Sequence, residues 1–358
     1  MPAEETLSLD AVSVLLIWTA IAIYALAFIA YALDLARRSA QAVDAKGRPE
    51  YATQRELVGV GTRLGSGAPP RTTGSIATGS PSTGSTPARR PKQMWARVGT
   101  ALTVMAFLFH LGATVTRGIA AERVPWSNMY EFSMTGTLLI VAVYLAVLIR
   151  YDLRFLGTFI TGLIIVLLAG VLLGGLYTEV VPLMDPLKSV WLVIHVFVAS
   201  LGTAFFALAF ALSVVQLMQA RRERRAVEAA EASAADGDAV APAGRSPRFL
   251  RTLPTADTLE SLAYRFAIVG FIFWTFTLIA GSIWAQDAWG RYWGFDTKEV
   301  WTFVIWVLYA GYIHARATRG WRGTRSAWLA IIGFAAVMFN FTVVNMFFKG
   351  LHAYSGLS

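Results

Sequence analysis

The chain has 358 residues, of which 56% are hydrophobic and 15% charged; soluble domains run about 45–50% apolar and about 25% charged, so composition excludes an ordinary soluble fold. A net charge of +9 would suit nucleic acid, but the basic residues lie beside apolar stretches, where membrane topology accounts for them, and no nucleic-acid partner is expected. With no cysteine and four histidines, the chain carries no disulfide, thiol chemistry or thiolate metal site; metal ligation falls to His110, His195, His314 and His352, or to carboxylates.

About 20 apolar residues carry a helix across the hydrocarbon core, and backbone polar groups there must be satisfied internally. The apolar runs are therefore helices. The first, near 11–35, follows an acidic start (Glu4, Glu5, Asp10), the wrong flank for a cleavable signal peptide; residues 1–35 form a first transmembrane unit. Residues 36–97 contain Gly65-Ser66-Gly67-Ala68-Pro69-Pro70 and repeated Thr-Gly-Ser, which cannot bury a core and read as a disordered cytoplasmic linker. Runs near 98–117, 132–150, 155–177 and 190–219 make a second unit, 98–219. Residues 220–258 open with Arg221, Arg222, Arg224 and Arg225, then turn Ala-rich and acidic, a helix extension fading into another cytoplasmic linker. Runs near 262–285, 300–316 and 326–348 fill 259–358. The expected fold is all-α and polytopic, with about eight transmembrane helices. The loops after runs one, three, five and seven hold 24 of the 31 Lys and Arg, against six on the other side. The positive-inside rule then places both termini outside the cytoplasm.

The outer loop before the seventh run reads Trp284-Ala-Gln-Asp287-Ala-Trp289-Gly290-Arg291-Tyr292-Trp293-Gly294-Phe295-Asp296-Thr297-Lys298-Glu299-Val300-Trp301. Aromatic belts anchor helices at the interface, but a belt does not need Asp296, Lys298 and Glu299 as well. Dense aromatic residues offer flat, rigid faces with polar edges, suited to a large planar ligand such as a porphyrin or a quinone.

This segment resembles the tryptophan-rich WWD motif of the haem-handling superfamily. The pattern Trp289-Gly290-x-x-Trp293-x-Phe295-Asp296-x-Lys298-Glu299-x-Trp301 is similar to that of the CcsA (ResC) family of system II cytochrome c maturation. Phe295 stands where a tryptophan is common, and Thr297 where a proline is common. Further matches are Pro125-Trp126-Ser127-Asn128-Met129-Tyr130-Glu131, Tyr312-Ile-His314-Ala-Arg316 and the tail Gly350-Leu351-His352-Ala-Tyr354, so the resemblance runs from about residue 98 to the end.

Neutral imidazole is the usual axial ligand of haem iron. His195 lies one turn into the fifth run and His352 just beyond the eighth, both on the side of the tryptophan loop, and the resemblance makes them external haem ligands. His314 sits about 21 Å deeper than Val300, and the resemblance makes it a ligand for haem arriving from the cytoplasm. His110 differs from His314 by about 10 Å in depth, so the two do not pair on one iron; His110 either ligates haem or bonds a neighbouring helix. Trp284, Trp289, Trp293, Asp296 and Trp301 complete the cofactor site that the resemblance implies. Arg123, Arg291 and Lys298 are the nearest cations for haem propionates, although Lys298 could equally pair with Asp296 or Glu299. Those two acids could instead orient a ligating imidazole. Ser127 or Asn128 could cap the third helix.

The function implied is delivery of haem b across a bacterial cell membrane and its presentation to apocytochrome c, as a subunit of a cytochrome c haem lyase. No residue stands out as a catalytic acid or base. The resemblance also implies a ResB-type membrane partner and, since this chain has no thiol of its own, a thioredoxin-like thiol reductant. A haem transporter or chaperone like CcmC, and a membrane haem electron-transfer subunit, are the other two readings of these residues.

Overall fold

The computed structural model describes residues 8–44, 94–236, 248–348 and 350–351. His352 and the middle of both linkers lie outside them. Among the described residues there are eight long helices: α1 (Leu9–Asp44), α2 (Met94–Ala121), α3 (Met129–Arg150), α4 (Gly157–Leu173), α5 (Val190–Asp236), α6 (Ala256–Trp289), α7 (Thr297–Thr318) and α8 (Thr324–Phe347). Seven of the predicted runs coincide with helices long and apolar enough to cross a membrane. The eighth, α7, has the same 22 residues as α3, about 33 Å of helix. It falls short on apolarity because Lys298 and Glu299 open it and His314 and Arg316 close it.

The helices alternate in direction, and polar contacts mark two ends of one bundle. At the first, Asp10 at the start of α1 meets Arg117 at the end of α2, and Arg117 also donates to the carbonyl of Thr178 beyond α4. The tryptophan loop joins α6 to α7 at this end. At the other, Asp34 of α1 accepts from the backbone of Ala96 and from Arg38. There Glu260 of α6 accepts from Arg316 and from the backbone of Gly323.

Helix α1 runs on to Asp44, α2 begins at Met94, and α5 continues to Asp236. Residues 248–252, read as linker, form a short turn that buries Leu250, whose carbonyl accepts from Arg222.

Local chemistry fixes the ends nearest the site. Of the two candidate caps, Asn128 takes the role, accepting from the backbone of Glu131. Gly290 ends α6 in the left-handed conformation at φ 71°, and Asp296 with Glu299 forms a capping box at the start of α7. Across the bundle, Trp274 donates to the Thr302 carbonyl and Trp306 to Thr275 Oγ1, each at 3.0 Å, locking α6 to α7.

Candidate functional site

At the tryptophan end, His195 of α5 lies against α6. Its Nδ1 is 3.0 Å from the Thr277 carbonyl. A carbonyl can only accept, so Nδ1 carries the proton and the Nε2 lone pair belongs to the neutral tautomer. This is the arrangement in which metal-binding imidazoles are usually held. The group that orients this ring is a backbone carbonyl, that of Thr277. The ring also stacks on Trp284 at 5.8 Å and 20°. Gly281 makes the approach possible, since a Cβ there would sit 2.6 Å from His195 Cε1.

Two cavities meet at this histidine. The larger, of about 170 Å³, runs inward between α3, α5, α6 and α8; the smaller, of about 60 Å³, lies under the loop beside Tyr292 and Trp293. His195, Thr277, Trp284, Lys298 and Thr302 line both. The predicted tryptophans therefore divide. Trp284 and Trp293 face the cavities. Trp289 packs edge-on against Trp284 at 4.8 Å, and Trp301 packs on Phe339 of α8 at 4.4 Å. Trp284 is anchored by its indole N–H to the Pro186 carbonyl at 2.8 Å.

The acids of the loop build its backbone. Glu299 Oε2 accepts from the backbone N–H groups of Gly294 and Asp296, at 2.8 and 3.0 Å. These bonds clamp Phe295 on both sides. It holds a φ of 57°, uncommon for a bulky residue and sustained only when the surroundings over-determine it. Asp296 caps α7 and accepts from the backbone of Leu351 at 3.1 Å, tying the end of α8 to the loop.

Lys298 pairs with neither acid by a direct hydrogen bond; its ammonium donates to Asn345 Oδ1. Asn345 follows a π-turn at Asn340–Val344. At 3.6 residues per turn, positions 340 and 345 would point about 140° apart. The wider turn, bonded i to i+5, brings both toward one face, and both line the larger cavity.

Arg123, expected near the propionates, is engaged elsewhere: with Arg117 it brackets the fully buried Glu131, at 2.6 and 2.9 Å. Glu131 also accepts from the backbone and hydroxyl of Ser127, both at 3.0 Å. Arg291 folds over Gly294, where a Cβ would overlap its guanidinium. The other described histidines lie apart. His110 is fully buried on α2, with Nε2 2.8 Å from the Met134 carbonyl and Nδ1 3.4 Å from the Tyr24 hydroxyl, the contacts of a connector between helices. His314 is exposed near the far end of α7, about 24 Å along the helix from Lys298.

A family model described as Cytochrome C assembly protein matches residues 98–352. The chain is similar to the cytochrome c biogenesis protein CcsA of Guillardia theta, 32% identical over 265 residues, covering 73% of this chain and 86% of the relative. CcsA of Gloeobacter violaceus is 32% identical over 294 residues, covering 73% and 87%, and CcsA of Synechococcus elongatus is 33% identical over 282 residues, covering 72% and 87%. Among solved structures, the cytochrome c haem lyase CcmF superposes with a TM-score of 0.55 at 16% identity, a likeness of fold. It covers 95% of this chain, which spans 48% of that protein's length.

Proposed function

The chain belongs to the cytochrome c assembly protein family, and from that premise we propose that it holds haem at its tryptophan end for covalent attachment to apocytochrome c. The observation that carries this reading is the setting of His195. Its tautomer is fixed by the Thr277 carbonyl, its face is stacked on Trp284, and it stands where two cavities meet beside Lys298. These residues suit the cargo: an imidazole for iron, aromatic faces for the macrocycle and a cation for a propionate.

His352 is the second ligand in this reading. It follows Leu351, whose backbone is bonded to Asp296 in the loop. His314, near the opposite end of the bundle, receives haem from the cytoplasm; the bias of Lys and Arg supports an outward-facing tryptophan end, and the membrane in this reading is a bacterial cell membrane. Haem b is the form carried. The thiols of the apocytochrome's Cys-x-x-Cys-His segment add across the two vinyl groups. Each sulfur bonds one vinyl carbon, its hydrogen goes to the other, and nothing leaves. The protein supplies ligation and orientation to that addition. A thioredoxin-like protein keeps those thiols reduced, and a ResB-type subunit completes the synthase. The electron-transfer alternative needs paired histidines near mid-membrane, which His110, engaged with Met134 and Tyr24, does not offer.

The test is the absorption spectrum of purified wild type beside His195→Ala and His352→Ala. We expect a six-coordinate bis-imidazole haem in the wild type, weakened in both variants and restored by added imidazole. A wild type that purifies without haem when haem is plentiful overturns the reading, as do variants that keep the wild-type spectrum.

A further inference from the structure

The wall of the larger cavity carries more hydrogen-bonding atoms than the protein pairs. Among the described residues, Trp126 Nε1, Asn128 Nδ2, Ser133 Oγ, Ser200 Oγ and Asn340 Oδ1 are buried without a hydrogen-bond partner, and all five residues line this cavity. Native proteins pair nearly all such atoms, so five around one space mark a site that takes its partners from a ligand. Four of the side chains are more than nine-tenths buried: Asn128 and Asn340 at 6% exposure, Ser133 and Ser200 at 3%.

Their chemistry is specific. The indole, the Asn128 amide and the two hydroxyls are donors, and an asparagine amide can present either end. Among the described residues lining this cavity, Lys298 is the one charged side chain. Ser200 stands five residues beyond His195 on α5, about 7.5 Å deeper. Donors and one cation set in apolar walls complement carboxylates carried on a large apolar body, with the iron ligand above Ser200.

We propose that this cavity receives the propionate edge of the porphyrin, with its carboxylates directed inward to Lys298 and to the donors of Asn128, Ser133 and Ser200. The proposal rests on the haem-holding reading above and adds the sense of insertion. With the propionates inward, the vinyl-bearing part of the ring faces the opening at the tryptophan end. Thiols arriving from outside then reach the vinyl groups without entering the bundle. The reverse sense would leave the donors of Asn128, Ser133 and Ser200 unpaired and bury the reactive carbons.

The test compares haem with its dimethyl ester, which has the same iron and vinyl groups but no carboxylate. Both are titrated into the purified full-length wild type, Lys298→Met and the double variant Ser133→Ala, Ser200→Ala. Hydrogen bonds to a charged group predict that the wild type prefers haem by about tenfold or more. Both variants should bind the ester as the wild type does, which also shows that they are folded, and should lose the preference to within about twofold. Equal affinity of the wild type for the two porphyrins overturns the proposal, as does a preference that survives in both variants. If the wild type binds neither porphyrin, the haem-holding reading itself fails and the proposal with it.

Discussion

The absence of a side chain at position 281 decides where His195 lies. Replacing Gly281 with alanine would favour α6 by about 1 kcal/mol, since glycine is a poor helix former. The new methyl carbon would nonetheless sit 2.6 Å from His195 Cε1 and 2.7 Å from Nδ1. The ring must then leave the Thr277 carbonyl and the Trp284 face. We expect Gly281→Ala to match wild type in yield and helix content while its haem band falls to the level of His195→Ala; a wild-type band would show that the ring's seat is dispensable. Nothing near position 195 announces this dependence, because 281 is 86 residues away and the contact exists only in the packed bundle. The tryptophan loop was legible for the opposite reason: its chemistry is compressed into 18 consecutive residues. Even there, spacing could not separate Trp284 and Trp293, which face the cavities, from Trp301, which faces α8.

Among the elements, the junction of α1, α2 and α3 depends on one carboxylate. Glu131 is held by Arg117 and Arg123 and itself holds Ser127, next to the cap of α3 and the cavity residues Trp126 and Asn128. Removing one member of a buried charge pair costs about 3–5 kcal/mol, because its partners stay buried without it. Glu131→Gln should therefore lower stability by roughly 3 kcal/mol or more, measured as unfolding in mixed detergent. A loss below about 1 kcal/mol would mean that the arginines find other partners. In the sequence, Glu131 belonged to a recognisable segment, but its use as the counter-charge of Arg123 was hidden, because a cation beside the outer loop reads as a propionate partner. The start of α7 was hidden as well: Asp296 and Glu299 read as partners of Lys298 or of an imidazole, whereas the structure uses them as a capping box that starts the helix at Thr297.

At the scale of the molecule, residues 98–352 carry the family match, and α1 lies outside it yet belongs to the bundle. Ser13 donates to the Ala113 carbonyl at 2.8 Å, Tyr31 meets Thr100 at 3.0 Å, and Asp10 meets Arg117. We expect that cleaving an inserted protease site between residues 45 and 93 leaves the α1 fragment co-purifying with the remainder in mild detergent. Loss of the fragment would show that α1 is held by the linker alone. Helix positions followed from the lengths of the apolar runs, because each crossing must satisfy its own backbone. Boundaries did not, since the polar sequence after Leu35 prolongs α1 to Asp44.

The π-turn at Asn340–Val344 makes the last crossing two screws of the same pitch joined out of register. One residue more than an α-turn holds sets everything beyond it about 100° out of phase with the shaft below. The lower thread seats α8 in the bundle, while the upper one aims Asn345 at Lys298 and leads to Leu351 at Asp296. Deleting a single residue from the joint would leave the first thread engaged and turn the second away from its mates.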